Sequence, residues 1–410
     1  MNKRILFVHT RELCYYSGSY FLQQMQKELA KLGIESQYFS LGQDPSSLEG
    51  ILGRHYDGVV DINSKLPYFV LEDDRRFLDI LGAPFYNYIV DHPLYHHPGL
   101  IFPLKDYHVI AVDHCHKSYM EKYYPHLQQV AFLPIGATQS RLADVIPYEK
   151  RQIPLLFLGT YESADGMLEK FRALCRKTFA DQKIRQEFYD LGMGLLEVML
   201  AGKESANGER ERVEIPMEEA LASLVDQEKL QAGAYGTKDF AVLMNYLYLI
   251  DKYVRNARRH KVLSYVAGLK VPLTLVGEGW EKTALAGQAP VRLLGAKRIE
   301  ETYDLLANAR QVLDVNPLFA DGVHDRVTSA MINGCLCCSD MSATADPAMG
   351  DGKHFCHYSN WDLDSLGYAL TEMPLGQQEE MAGRAKTYAM DHYSWQAHAK
   401  KLLELMQIRP

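Results

Sequence analysis

Val315 to Asp340 reads VNPLFADGVHDRVTSAMINGCLCCSD. A short apolar run ends in Asn316-Pro317. A polar turn follows with Asp321, Gly322, His324, Asp325 and Arg326, then Val327 to Met331 in a helical pattern closed by Gly334, then a second apolar run. Strand, polar loop, helix and strand in that order predict an open α/β sheet. In such sheets ligands bind where strand C-termini meet helix N-termini, and the N–H groups of a helix start favour anions. Four ionisable side chains and a glycine crowded into one turn between apolar segments mark a donor-phosphate or sugar loop. The competing reading is a turn that only caps the helix.

Working outward, 410 residues exceed one ordinary core and predict two domains. Hydrophobic residues at 47% and charged ones at 23% are a globular balance, with no disordered signature. A net charge of -8 argues against a nucleic-acid binder, although a local phosphate pocket is compatible with it. No apolar run approaches a membrane span, and Met1 to Arg4 leads into a strand-like run rather than a signal peptide, so the cytoplasm is expected. Seven cysteines, three of them at 335, 337 and 338 in one apparent strand, suit reduced buried thiols better than disulfides or zinc.

Toward the N-terminus, Ile5 to His9, a Ser17-Gly18-Ser19 turn, a helix up to Gly33 and Ile34 to Ser40 open a Rossmann-like unit. No G-x-G-x-x-G is present, so no dinucleotide cofactor is expected. Further strands are read at Asp57 to Asp61, Phe85 to Val90, Val109 to Val112 and Val130 to Leu133. The strand ending at Val90 delivers Asp91-His92-Pro93 and then His96-His97-Pro98. A carboxylate or imidazole there suits a general base toward a hydroxyl acceptor. A proline-rich loop with structural histidines, or a metal site, are the other readings.

After a polar linker at 147–152, Pro154 to Leu158 starts a second domain and ends in Gly159-Thr160, a turn that either reverses the chain or offers N–H groups to a diphosphate. Residues 163–260 are helix-periodic around a polar break from Gly202 to Arg212 and are read as a helical insertion. Arg258, Arg259 and Lys261 then precede the strand Pro272 to Val276, which ends in Gly277-Glu278. Such a run neutralises a diphosphate without a metal, or lines a solvated helix face. Val291 to Leu294 ends in Gly295-Ala296-Lys297, and Tyr303 is read as beginning the next helix.

The stretch from Asp321 resembles the donor-binding segment of GT-B glycosyltransferases, in particular the spore-maturation-type branch with a "glycosyl transferases group 1" C-terminal domain. Many retaining GT-B enzymes carry an acidic residue and a glycine, a second acidic residue eight positions after the first, then Ala-Met and a glycine. Here Asp321-Gly322, Ala330-Met331 and Gly334 match, and Ser329 stands where the second carboxylate would hold the ribose. His324, Asp325 and Arg326 are expected to take over part of that contact. The resemblance implies a GT-B fold: two Rossmann-like α/β domains, 1–148 on the acceptor side and 149–390 on the donor side, facing a central cleft, with a final helix over 391–410 returning to the first domain. It places the turn Gly295-Ala296-Lys297 toward the nucleobase, and Tyr303 and Asn316 are further candidate donor-binding residues.

The implied activity is sugar transfer from a nucleotide-sugar donor, a substrate rather than a cofactor, to a protein or glycan acceptor. Asp91, His92, Asp321 and His324 are the candidate catalytic residues. No metal is expected, since no Asp-x-Asp follows a strand. Two alternatives share the fold: a sugar-nucleotide epimerase, and a non-catalytic partner subunit, which the serine at 329 allows.

Overall fold

The structure, a computed structural model, describes residues 3–41, 48, 50–204, 212–226, 239–342 and 345–409. The chain divides into two compact units: Met1–Thr138 with Gln231–Val242 and Met390–Pro410, and Gln139–Leu230 with Leu243–Ala389.

The first unit is a six-stranded parallel sheet of β1 (Arg4–His9), β2 (Glu35–Ser40), β3 (Gly58–Ile62), β4 (Phe85–Ile89), β5 (Tyr107–Ala111) and β6 (Gln129–Phe132), in the order β2-β1-β3-β4-β5-β6. β3 and β4 are buried at every residue, which is why they read as near-continuous apolar runs rather than alternating ones. The helix Ser17–Lys31 covers β1 with Phe21, Leu22, Met25 and Leu29. At Gly136 a Cβ would lie 2.5 Å from the Trp395 ring, so only glycine lets the chain after β6 pass under the final helix Trp395–Leu405. Tyr88 and His398 stack at 5.8 Å and fix that helix on the sheet.

The second unit holds β7 (Ile153–Leu158), a small antiparallel pair β8 (Lys203–Glu204) and β9 (Arg212–Val213), then β10 (Leu273–Val276), β11 (Val291–Leu293), β12 (Ala309–Asp314), β13 (Leu336–Ser339) and β14 (Cys356–His357). Its main sheet is parallel in the order β11-β10-β7-β12-β13-β14. Helices Ala164–Thr178, Gln182–Ala201, Met217–Leu224 and Tyr248–Gly268 fill the stretch between β7 and β10. The polar break expected there falls largely at 205–211, outside the described residues. Asp239–Tyr246 begins in the first unit, where Phe240 stacks on Tyr123 at 4.8 Å.

Two expectations shift. The division expected at 148/149 lies at 138/139, because Ser140 donates its N–H to Asn333 (2.7 Å) and its hydroxyl to Asp304 (2.6 Å). The helix containing Tyr303 begins at Ile299, and Tyr303 is one of its buried residues. Cys335, Cys337 and Cys338 are buried thiols, and none of the seven cysteines is in a disulfide.

Candidate functional site

In the second unit the chain runs outward from β7 in both directions, to β10 and β11 on one side and to β12, β13 and β14 on the other. The reversal falls between β7 and β12. At such a switch point the loops leaving neighbouring strands part and open a crevice at their carboxyl ends. β7 ends at Leu158 and gives Gly159-Thr160; β12 ends at Asp314 and leads into the loop before the helix Asp325–Ile332.

Close backbone packing builds the β7 side. Gly277 at φ +136 would place a Cβ 2.3 Å from the Gly159 carbonyl, and Gly279 at φ +90 would place one 2.1 Å from that of Tyr161. Glycine at both positions lets the loops after β7 and β10 touch, joined by Gly159 N–H to Val276 O (2.9 Å), Tyr161 N–H to Glu278 O (2.9 Å) and Trp280 Nε1–H to Gly159 O (2.6 Å). Gly277 also donates to Gly295 O (2.8 Å). Glu278 and Gly295 are exposed at this rim, and Lys297 pairs with Glu301 at 3.3 Å.

On the β12 side, His324 caps the helix Asp325–Ile332, its Nδ1 accepting the N–H of Arg326 (3.2 Å) and lying 3.1 Å from the Asp325 carboxylate. The Arg326 guanidinium is buried over Phe157 at 5.6 Å and pairs with Asp314, whose other oxygen accepts the Ser339 hydroxyl (2.7 Å). Arg326 therefore balances a buried carboxylate. Burial, and then the charges of Arg326, Arg259 and Arg255, hold the His324 pKa well below the usual imidazole range.

Arg255 and Arg259 come from the helix Tyr248–Gly268, where Asp251, Arg255 and Arg259 recur every four residues on one face. Arg255 pairs with Asp251 at 2.7 Å, and Arg259 donates to Thr160 O at 3.1 Å with its guanidinium beside Gly159. Arg258 points elsewhere: it is buried, pairs with Glu214, donates to Met199 O (3.1 Å) and lies over the Trp361 ring. Lys261 donates to the Asn360 carbonyl at 2.5 Å. Of the basic run read in the sequence, Arg259 reaches the loop after β7, and Arg255 went unread.

Asn316 shapes its own loop, its side chain donating to Phe319 O and accepting Phe319 N–H, both at 2.8 Å. Ser329 is buried on the helix, its carbonyl accepting from Asn333 (2.8 Å), and Gly322 is buried ahead of it. Asp321 and Asp325 are half-buried on the same loop and first turn.

In the first unit Asp91 projects beyond β4 with 48% of its side chain exposed. It accepts the Asn63 amide at 2.9 Å and lies 4.0 Å from Nε2 of His96. His96 is buried, and burial lowers its pKa to about 4. His92 caps the following turn by accepting the Leu94 N–H (3.1 Å) and packs on His116 at 4.6 Å. His97 bonds the Tyr124 hydroxyl at 2.9 Å, and burial lowers its pKa also to about 4. Among the described residues no group of three or more His, Cys, Asp or Glu is arranged to hold a metal ion. No helix among them is long and apolar enough to cross a membrane.

No family model and no curated protein sequence matches the chain. Solved structures do. An α-glucosyltransferase in complex with UDP and a 13-mer DNA containing an HMU base matches with TM-score 0.54 at 11% identity, over 99% of this chain and all of that one. The Anabaena protein HepE in complex with UDP-glucose gives 0.53 at 11% identity over 98% and 99%. Sucrose-phosphate synthase from Thermosynechococcus elongatus gives 0.52 at 10% over 99% and 98%. With two parallel six-stranded sheets, the chain has the fold of the GT-B glycosyltransferases.

Proposed function

We propose that the chain transfers a sugar from a nucleotide-sugar donor to a protein or glycan acceptor, with the donor diphosphate at the β7/β12 switch point of the second unit. The observation that carries this reading is the β7/β12 switch point itself, where Arg259 donates to Thr160 O beside Gly159 in the loop after β7 and His324 caps the helix Asp325–Ile332 in the loop after β12. A diphosphate concentrates negative charge, and guanidiniums with helix N–H groups recognise it without a metal. Arg259, which donates to Thr160 O with its guanidinium beside Gly159 in the loop after β7, is assigned a diphosphate contact. Neutral His324 accepts at Nδ1 and so carries its proton on Nε2, where it donates to the leaving diphosphate as charge develops. Structures of the same fold with UDP or UDP-glucose bound support this ligand class.

Where transfer inverts, Asp91 is assigned the base that takes the acceptor proton, with Asn63 holding its second oxygen. The net charge of -8 favours a protein or glycan acceptor over a nucleic acid.

The test is a thermal-shift panel of UDP-glucose, UDP-N-acetylglucosamine, GDP-mannose and dTDP-glucose, with and without chelator. A donor at ~100 times its Kd adds about 2.7 kcal/mol of stability. One member of the panel is expected to raise the melting temperature equally in chelator. No shift with any of them contradicts donor binding, and a shift that returns only with Mn²⁺ or Mg²⁺ contradicts metal independence.

A further inference from the structure

The helical stretch between β7 and β10 sends one carboxylate into the support of the loop after β12. Glu214, just beyond β9, pairs with Arg258 and accepts from Nδ2 of Asn360 at 3.1 Å. The same Asn360 amide donates to one oxygen of Asp340, and the other oxygen of Asp340 accepts the Asn316 N–H at 2.6 Å. Asn316 then closes its loop on Phe319 at both ends of its amide. One hydrogen-bonded path therefore runs from Glu214 to the loop that presents His324.

Two further observations show that this path holds something in place. Gly202, at φ +66 after the helix Gln182–Ala201, would bring a Cβ to 2.5 Å from Trp361 and 2.7 Å from Val213 O, so glycine alone seats β9 against the ring that covers Arg258. In the loop itself Leu318 sits at φ +68, a left-handed conformation that a leucine keeps only when its surroundings over-determine it. Burial, with Glu214 and Asp314 close by, raises the Asp340 pKa well above the carboxylate range, and burial raises that of Glu214. A buried network of this kind stands or falls as a unit.

We propose that Glu214 is a positioning residue for donor binding, setting through Asn360, Asp340 and Asn316 the loop that carries His324. This rests on the sugar-transfer reading above. Its test has one arm that does not.

In hydrogen exchange without ligand, Glu214→Gln should speed the Asn316 and Phe319 amides by about tenfold while the β12 amides keep their rates, a factor matching the lower end of the cost of an impaired buried hydrogen bond. Glu214→Ala should do the same. Loop exchange equal to the unaltered chain, or acceleration spread evenly over the second unit, overturns the proposal.

In the second arm the KM for the nucleotide sugar selected by the panel should rise about tenfold in Glu214→Gln while the acceptor KM stays within twofold. A lower melting temperature with an unchanged donor KM marks a merely structural role and also overturns it. Should the unaltered chain bind none of the panel, the sugar-transfer reading fails and the exchange arm alone decides the role of Glu214 in the loop.

Discussion

The two units are built alike and differ in the side chains beside the point where their strand order reverses. In the first, the reversal lies between β1 and β3, and the following helix Ser17–Lys31 has a carboxylate at its N-terminus: Glu12 accepts the Gly18 N–H at 2.9 Å and the Ser19 hydroxyl at 2.8 Å. Asp61 lies buried at the end of β3, accepting the Thr10 hydroxyl at 2.5 Å. An anion approaching that helix start meets a carboxylate already seated there. In the second, the loops leaving β7 and β12 hold Arg259 on Thr160 O, Arg326 on Asp314 and His324 capping the helix Asp325–Ile332. One architecture thus carries a carboxylate at the helix start beside one reversal and guanidiniums beside the other.

The largest effect expected from this contrast lies in the first unit. Asp91→Asn should cut an inverting transfer rate by ~10²–10⁴ and leave donor affinity unaltered, as measured by steady-state kinetics alongside donor titration. Transfer above about a tenth of the parental rate would return Asp91 to a structural role, below the low end of that range.

Next comes Arg326→Ala. Because the guanidinium balances buried Asp314, removing it should cost roughly 3–5 kcal/mol of stability by denaturant unfolding. Stability equal to the parent with donor binding lost would instead make Arg326 a direct diphosphate ligand.

The smallest effect is a pH dependence. Burial pushes the Asp61 pKa to about 7 against an ordinary 3.8, with Thr10, Ser64 and the Ile62 N–H opposing the shift, and Glu12 and Tyr38 nearby. Between those values the folded chain keeps a proton that the unfolded chain has released, so this contribution to stability is full below the ordinary pKa and lost as pH rises through about 7. Asp61→Asn should therefore gain stability relative to the parent, on the order of 2 kcal/mol, between pH 5 and pH 8. A difference that does not change with pH in paired melts would refute it.

Much of the architecture was legible. Strands buried on both faces announce themselves as short apolar runs, and the glycine and polar turns after β7, β10, β11 and β12 marked where loops leave the sheet. β14, two residues long, carries too little pattern to be read. The candidate site was legible as a region and less so residue by residue. Arg258 and Arg259 are neighbours in sequence, but a helix turns by roughly a hundred degrees per residue, so they face different surroundings. Arg258 finds Glu214, 44 positions away, a partner that only the fold supplies. The spacing Asp251, Arg255, Arg259 was a usable signal, since an acid four residues before a base and a second base four further on trace one helix face. Asn316 read as a donor contact from its motif, whereas the hydrogen bonds of its amide to Phe319 become visible only once the loop is packed.

The claim that the second unit holds the donor rests most directly on Arg255 and Arg259. Isothermal titration of the panel's nucleotide sugar into the parent and into the Arg255→Ala, Arg259→Ala double variant, with circular dichroism to confirm the fold, measures it. Loss of the Arg259 contact at ~1.5–3 kcal/mol, with the Arg255 charge removed one turn away, predicts a fall in affinity of at least about tenfold. A folded double variant that binds within twofold of the parent would contradict the assignment.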